Sequence, residues 1–324
     1  MYTISSFFIS FLVTFFTIRQ VIPRLHREEL IGRDLNKPER PEIPEMGGLA
    51  LFLGWTAGIL SVIGLKTFLD IFQGVRMVPA LMALLTTALI SHIGVMDDLI
   101  GVNQSVKAFI PAFASVPLVV IKVEQTSVGI PFLVGQLDFG IFYPLFLVPF
   151  GITAGANAVN MLAGFNGLEV GMGVVAMVSL GVIAAGLGKA TAVVLAATAI
   201  GALLGALYFN WYPARILVGD VGTLSIGAMI ATIVIIGGFE LAGVVLLVPY
   251  FLDFILKAVN GFPSEDWSGD YKDGKLYCPE EGPVGLAQLV MKLGGGLPEW
   301  GLSLSFIVLE GIFGVLAVSF YLWF

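Results

Sequence analysis

Ten stretches of this chain are long and apolar enough to cross a bilayer. They lie at about 3–22, 47–65, 78–96, 108–122, 141–156, 168–187, 190–208, 221–238, 241–259 and 301–322. A hydrocarbon core about 30 Å thick is spanned by roughly 20 residues of helix. Within it every backbone N–H and C=O must find a partner in the protein, and for segments of this length only helices achieve that. The expected fold is all-α: one integral membrane domain over residues 1–324 with ten transmembrane helices. Composition points the same way. Hydrophobic residues make up 57% of the chain and charged residues 12%, and a water-soluble globule could not hide that much apolar surface. A soluble enzyme, a nucleic-acid-binding protein and a disordered chain are thereby excluded. Pro111 and Pro117 in the fourth span and Pro144 and Pro149 in the fifth are expected to kink those helices without excluding them. The first span has no small-residue cleavage site after it and reads as a retained helix.

The distribution of basic residues sets the orientation. Twelve of the sixteen Lys and Arg fall in or beside the loops that follow odd-numbered spans, and Lys66, Arg76, Lys122 and Lys189 fall on the other side. The loops at about 23–46, 97–107, 157–167, 209–220 and 260–300 are therefore expected in the cytosol, with both termini outside. Chemistry should face the cytosol, because these loops carry the polar residues. The single Cys, Cys278, excludes a multi-thiolate metal site, and two His residues, His26 and His92, exclude a His-rich zinc site. The net charge of −7 argues against attraction to nucleic acid or to anionic lipid heads.

Four polar clusters stand at span ends. Ile31-Gly-Arg-Asp-Leu-Asn-Lys37, followed by Ile43-Pro-Glu45, serves equally well as a solvated loop. Asp97 and Asp98 close the third span, where the partial negative charge of a helix C-terminus disfavours carboxylates unless a cation compensates; Lys107 or a metal ion could do so. Asn157 and Asn160 share a helix face by their spacing of three, while Asn166 and Glu169 have the spacing of an N-terminal capping box. Asp220 precedes the eighth span, where N-capping is the plain reading, and Arg215 could be a positive-inside anchor. Taken together, carboxylate and amide oxygens without thiolate or imidazole suit a hard cation, Mg²⁺ or Mn²⁺. A lysine beside them suggests a phosphate substrate.

On these residues the chain resembles the polyprenyl-phosphate N-acetylhexosamine-1-phosphate transferases, over about residues 30–260. Gly94-x-x-Asp97-Asp98 with Lys107 matches the family's acidic motif and lysine. Asn157-Ala-Val-Asn160 through Glu169, Asn210-Trp-Tyr-Pro-Ala-Arg215 with Val218-Gly-Asp220, and Asp34-Leu-Asn-Lys37 are most similar to the dolichyl-phosphate GlcNAc-1-phosphotransferase branch. The resemblance implies transfer of a HexNAc-1-phosphate, in that branch GlcNAc-1-phosphate, from a UDP-sugar to a membrane polyprenyl phosphate, giving polyprenyl-diphosphate-sugar and UMP. It implies Asn160 and Asp220 as Mg²⁺ ligands, Lys107 on the donor phosphates, and Asp97 and Asp98 as an acidic pair that deprotonates the acceptor or organises the metal. Leu35, Asn36, Lys37, Glu45, Asn157, Asn166, Glu169 and Arg215 are the expected substrate contacts, with Leu35 and Asn166 at the uracil pocket.

The chain departs from the family in its last cytosolic loop. Residues 260–300 contain neither the usual His nor Arg. The Gly- and Asp-rich segment 263–277 reads as a hairpin, in which Lys272 and Lys275 could replace the missing cations and Trp267 and Tyr271 could pack on the sugar. An enzyme for another UDP-HexNAc, or for UDP-MurNAc-peptide with undecaprenyl phosphate, is the neighbouring alternative. A transporter is the distant one, since transporters place polar groups near the midplane in paired repeats and these clusters sit at one end of the spans. A homodimer is an option the sequence does not decide.

Overall fold

The computed structural model describes residues 2–122, 126–130, 135–262 and 267–323. Among them nine helices have the length and apolarity to cross a membrane, and a bent helix pair makes a tenth if it counts as one span. The ten expected stretches all coincide with these. The first three are α1 (Tyr2–Arg27), α2 (Gly48–Leu69) and α3 (Met77–Ile100). The fourth is two helices, α4 (Gln104–Ala114) and α5 (Val116–Lys122), which meet at Ser115 just before Pro117. The fifth begins as a π-helical turn over Tyr143–Leu147, containing Pro144, and continues as α6 (Val148–Leu162). Next come α7 (Leu168–Gly186), α8 (Ala190–Asn210) and α9 (Gly219–Gly237). The ninth span is α10 (Glu240–Leu246) and α11 (Val248–Val259), which bend by 55° at Leu247. Pro249 has no N–H to continue the helix ladder there. A short α12 (Leu286–Leu293) precedes the last span, α13 (Glu299–Leu322).

Helix α1 shows the packing logic of a helix in lipid. Ser6, Ser10, Thr14 and Ile18, four residues apart, are buried against the protein, while Phe8, Leu12 and Phe16 face outward. Lipid tails receive large apolar side chains at no cost, so small residues are kept for helix–helix contact. A Cβ on Gly201 of α8 would fall 2.2 Å from the Phe7 carbonyl oxygen. Helix α9 lies at the centre, its span the most buried of the set. Close backbone approach brings its neighbours in: a Cβ on Gly227 would lie 2.0 Å from the Gly155 carbonyl oxygen of α6, and one on Gly94 of α3 would lie 2.4 Å from Val221 Cα. These contacts bring the first turn of α9 against the C-terminal halves of α3 and α6.

The connections are shorter than the hydropathy suggests. Asp97 and Asp98 are inside α3, Lys107 inside α4 and Asn157 and Asn160 inside α6, so the expected loops 97–107 and 157–167 contract to 101–103 and 163–167. Asn103 accounts for the early start of α4, since its side chain accepts from Ser105 N at 2.9 Å. Strands β1 (Ile31–Arg33) and β2 (Glu42–Pro44) pair antiparallel, with Gly32 opposite Ile43. Beyond β2, Leu217 N donates to Pro44 O and Gly47 N to Leu217 O, which ties this hairpin to the 214–218 segment. On the opposite end of the bundle β3 (Ser127–Ile130) pairs with β4 (Gly135–Asp138). The expected last-loop hairpin is present as β5 (Asp270–Lys272) and β6 (Lys275–Tyr277), turning through Asp273 and Gly274, both at positive φ; the first residues of that segment, 263–266, lie outside the described residues. Asp253 and Lys257 form the ion pair their spacing predicts, at 2.8 Å. His92 faces outward and its Nδ1–H donates to Ala88 O, whereas Glu310 is buried and, among the described residues, neither carboxyl oxygen has a hydrogen-bond partner.

Candidate active site

The ends of α3, α4, α6 and α9 bring four side chains together. Lys107, in the first turn of α4, is buried and its Nζ lies between two carboxylates, Asp97 and Asp220, the latter at 2.6 Å. Asn160 of α6 donates through Nδ2 to Asp220 Oδ1 and to Thr223 Oγ1, the second at 2.8 Å. The expectation that Lys107 compensates the acidic helix end is met for Asp97. Asp98 is compensated differently: it accepts from Asp220 N at 2.7 Å and Val221 N at 3.1 Å. A carboxylate at the C-terminus of α3 thus caps the N-terminus of α9, where unpaired N–H groups and the positive end of the helix dipole favour it. This corrects the plain reading of Asp220, whose side chain does not cap its own helix and is turned towards Lys107 and Asn160.

Asp98, Asn160 and Asp220 border a cleft of ≈ 280 Å³, which is lined on its far side by the loops, while Lys107 and Asp97 are held against Asp220 without lining it. Asp98, Asn160, Asp220, Leu35, Glu45, Asn166 and Glu169 of the expected residues all reach it. Asn166 organises the loops by spending nearly all of its polar groups. Its N donates to Glu299 Oε1, its Oδ1 accepts from Ala214 N and Lys37 Nζ, its Nδ2 donates to Asp34 Oδ2, and its carbonyl accepts from Ser303 Oγ. It does not form a capping box with Glu169: the residue preceding α7 is Gly167 and no side chain caps it.

Lys37 completes this junction by pairing with Asp34 and with Glu299 at 2.9 Å. Burial alone lowers the affinity of the Lys37 ammonium for its proton, but the hydrogen bonds and charges of Asp34 and Glu299 outweigh that and move its pKa up from 10.5. Glu45 moves up too, first because it is buried and then because the charge of Asp220 faces it.

Four expected contacts do not line the cleft: Lys37 belongs to the junction just described, and three go elsewhere. Arg215 lies outside the cleft, its guanidinium stacked over Tyr208 and Phe209 at 4.6 and 4.7 Å and donating to Tyr208 O. Asn157 donates to Ala108 O and Thr153 O, holding α4 against α6. Asn36 is buried and donates to Gly164 O at 2.9 Å. In the last loop Trp267 lines the cleft, edge-on to Phe165 at 5.5 Å. Lys272, Lys275 and Tyr271 are exposed on the hairpin and none lines the cleft. Trp267 covers Gly164, where φ is +132° and a Cβ would meet its ring at 2.6 Å.

Sequence reasoning missed two residues. Arg33 lines the cleft, although its largely exposed guanidinium is turned to Glu42; in the sequence it counts only as one more basic residue of a charged loop. Glu299 stands in the first turn of α13, and nothing local in the sequence marks it as the partner of Lys37 and Asn166.

The donor set fits a divalent cation. Asp97, Asp98, Asp220 and Glu45 bring four carboxyl groups against the single ammonium of Lys107. Turning the Asn160 amide over would place its oxygen beside Asp220. Among the described residues no three His, Cys, Asp or Glu side chains form a ready-made metal cage.

A bundle of membrane-spanning helices with carboxylates, amides and one buried lysine around a cleft at their ends defines a membrane-embedded phosphoryl-transfer type of site. Residues 80–238 match glycosyl transferase family 4. The chain is 40% identical over 315 residues, 97% of its length and 94% of the relative's, to a Saccharolobus solfataricus protein whose provisional name is UDP-N-acetylglucosamine–dolichyl-phosphate N-acetylglucosaminephosphotransferase. It is 33% identical over 97% of its length and 95% of the relative's to a Sulfolobus acidocaldarius protein of the same provisional name. To a Clostridium perfringens phospho-N-acetylmuramoyl-pentapeptide-transferase it is 28% identical, over 76% of the chain and 78% of the relative. The chain belongs to glycosyl transferase family 4.

Proposed function

We propose that this enzyme transfers GlcNAc-1-phosphate from UDP-GlcNAc to a polyprenyl phosphate of the dolichyl type, at the cytosolic face of its membrane. The observation that carries the reading is the convergence of Asp97, Lys107, Asn160 and Asp220 from four helices beside one cleft. The names of the archaeal relatives support the choice of substrates, and the excess of basic residues on these loops supports the sidedness.

The donor lies in the cleft with its uracil towards Leu35 and Asn166 and its diphosphate towards Lys107. An acceptor phosphate oxygen forms a bond to the donor's β-phosphorus while the bond from that phosphorus to the oxygen of the UMP leaving group breaks. A phosphate monoester is largely ionised near neutral pH, its second pKa being about 6, so the acceptor needs no strong base. Lys107 holds fixed positive charge where negative charge builds, and Asp97 and Asp220 keep its ammonium in place. Asp98 fixes the first turn of α9 and with it Asp220. Asn160 and Asp220 would hold Mg²⁺ or Mn²⁺, which when bound neutralises charge on the donor phosphates.

The test is the purified protein with a panel of UDP-sugars and polyprenyl phosphate, read by mass spectrometry of the lipid product. A polyprenyl-diphosphate-GlcNAc product with release of UMP is expected. A product formed only from UDP-MurNAc-peptide, or no lipid product from any UDP-sugar, would overturn the assignment.

A further inference from the structure

A second cavity, ≈ 370 Å³, lies behind the wall of the cleft. Arg19, His26 and Arg215 bring its basic groups, and Ile22, Pro44 and Phe209 are among its apolar walls. Arg19, Ile22 and His26 are spaced three and four residues apart and share one face of α1. Arg215 is set in place by its two aromatic neighbours and by Tyr208 O, which uses one of its five N–H donors. The one carboxylate in the lining, Glu42, is paired with Arg33 at 3.8 Å. The whole-chain charge of −7 therefore conceals a locally basic site.

Its height in the bilayer is readable from α1. Arg19 comes about 24 Å along the apolar run that begins at Thr3, one turn beyond the outward-facing Phe16. Tyr208, beneath Arg215, is also exposed on the outer surface. Aromatic residues followed by arginines mark the boundary between hydrocarbon and headgroups. The cavity is separated from the cleft by two shared walls. Glu42, Ile43 and Pro44 of the β1–β2 hairpin line the cavity, and Glu45, the next residue, lines the cleft. Likewise Ala214 and Arg215 line the cavity while Leu217 and Val218 line the cleft.

We propose that this cavity binds the headgroup phosphate of an anionic bilayer phospholipid. Two guanidinium groups against one already paired carboxylate match a phosphodiester, and the apolar walls continue towards the lipid-facing surface where the glycerol and chains lie. The bound lipid braces the 42–44 and 214–218 segments from behind, and those segments carry Leu217, Val218 and, through Ala214 N, Asn166 on the cleft side.

The full-length protein in detergent, titrated with phosphatidylglycerol or phosphatidylcholine and read by native mass spectrometry, tests this. Phosphatidylglycerol should be retained in preference. Arg19→Gln with His26→Gln should weaken that retention by about tenfold, as expected for lost charge-assisted hydrogen bonds. Ile22→Trp, which pushes an indole into the cavity from its apolar wall and keeps every charge, should weaken it as well, with helicity by circular dichroism unchanged. Equal retention of the two lipids, or a wild-type preference in the folded Ile22→Trp protein, overturns the proposal. Displacement of phosphatidylglycerol by UMP or by polyprenyl phosphate overturns it in favour of a substrate phosphate as the occupant.

Discussion

Replacing Gly94 by Ala tests whether the active-site geometry is set by helix contact. The added Cβ would lie 2.4 Å from Val221 Cα and 2.6 Å from Val221 N, both backbone atoms that cannot rotate away. Ordinary contact begins near 3.4 Å, so α3 and α9 must separate by about 1 Å. Overpacking of this kind costs about 1–3 kcal/mol, small enough for the helical bundle to remain folded. Catalysis should suffer far more. Asp97 and Asp98 lie one turn beyond Gly94 on α3, and Asp220 precedes Val221 on α9, so the shift opens the Asp98 cap and the Lys107–Asp220 pair together. A displacement of 1 Å costs about 10²-fold in rate when groups must be held in register. The assay is transfer of radiolabel from UDP-GlcNAc to extractable lipid, beside a thermal melt of the purified variant. Gly311→Ala, where nothing lies within 4 Å of the new Cβ, should leave both readings unchanged. Turnover of Gly94→Ala within about threefold of wild type would refute the reasoning, because a loss near 10²-fold is what the displacement demands.

Lys107→Gln should lower kcat/KM for the UDP-sugar by at least about tenfold, as loss of a charge-assisted contact to phosphate implies; steady-state kinetics at fixed acceptor would show it, and an unchanged value would remove Lys107 from the donor phosphates. Glu45 holds its proton to higher pH in the folded protein than its ordinary value of 4.5 because it is buried and faces Asp220. Above 4.5 the folded state then binds more protons than the unfolded one, so this group lowers stability as pH rises through its shifted pKa. Melts in chelator should accordingly find Glu45→Gln more stable than wild type at neutral pH, with the difference vanishing below the ordinary carboxylate value; a difference that grows on acidification would reverse the sign. Trp267→Ala should raise KM for the donor or relax its sugar preference, whereas replacing Lys272 and Lys275 by Gln should change neither, since only Trp267 of the three lines the cleft. Labelling of single cysteines in a Cys278→Ser background should reach residue 70 only from the outer side, and labelling from the cytosol would invert the orientation.

The fold was legible in the sequence because hydrocarbon thickness dictates span length, and length and apolarity are local properties of a chain. The ten stretches and the Asp253–Lys257 pair follow from residues near one another, whereas the sharp bend, 55°, falls in the ninth span and not in the fourth or fifth where Pro residues pointed to kinks. Much of the site was legible as well, since Asp97, Lys107, Asn160 and Asp220 stand where polar residues interrupt apolar runs. Their partners were not. Asp98 caps a helix that starts more than a hundred residues later, and Lys37 and Asn166 meet Glu299 from the far end of the chain. Asn157 and Arg215, polar residues in the same motifs, are turned instead towards helix packing and the second cavity. Charge and amide chemistry announce that a residue needs a partner, but many partners would satisfy it. Which one it meets is decided by how closely the helices approach, and that depends on contacts such as Gly94 on Val221 and Gly155 on Gly227, which only the packed bundle brings into being.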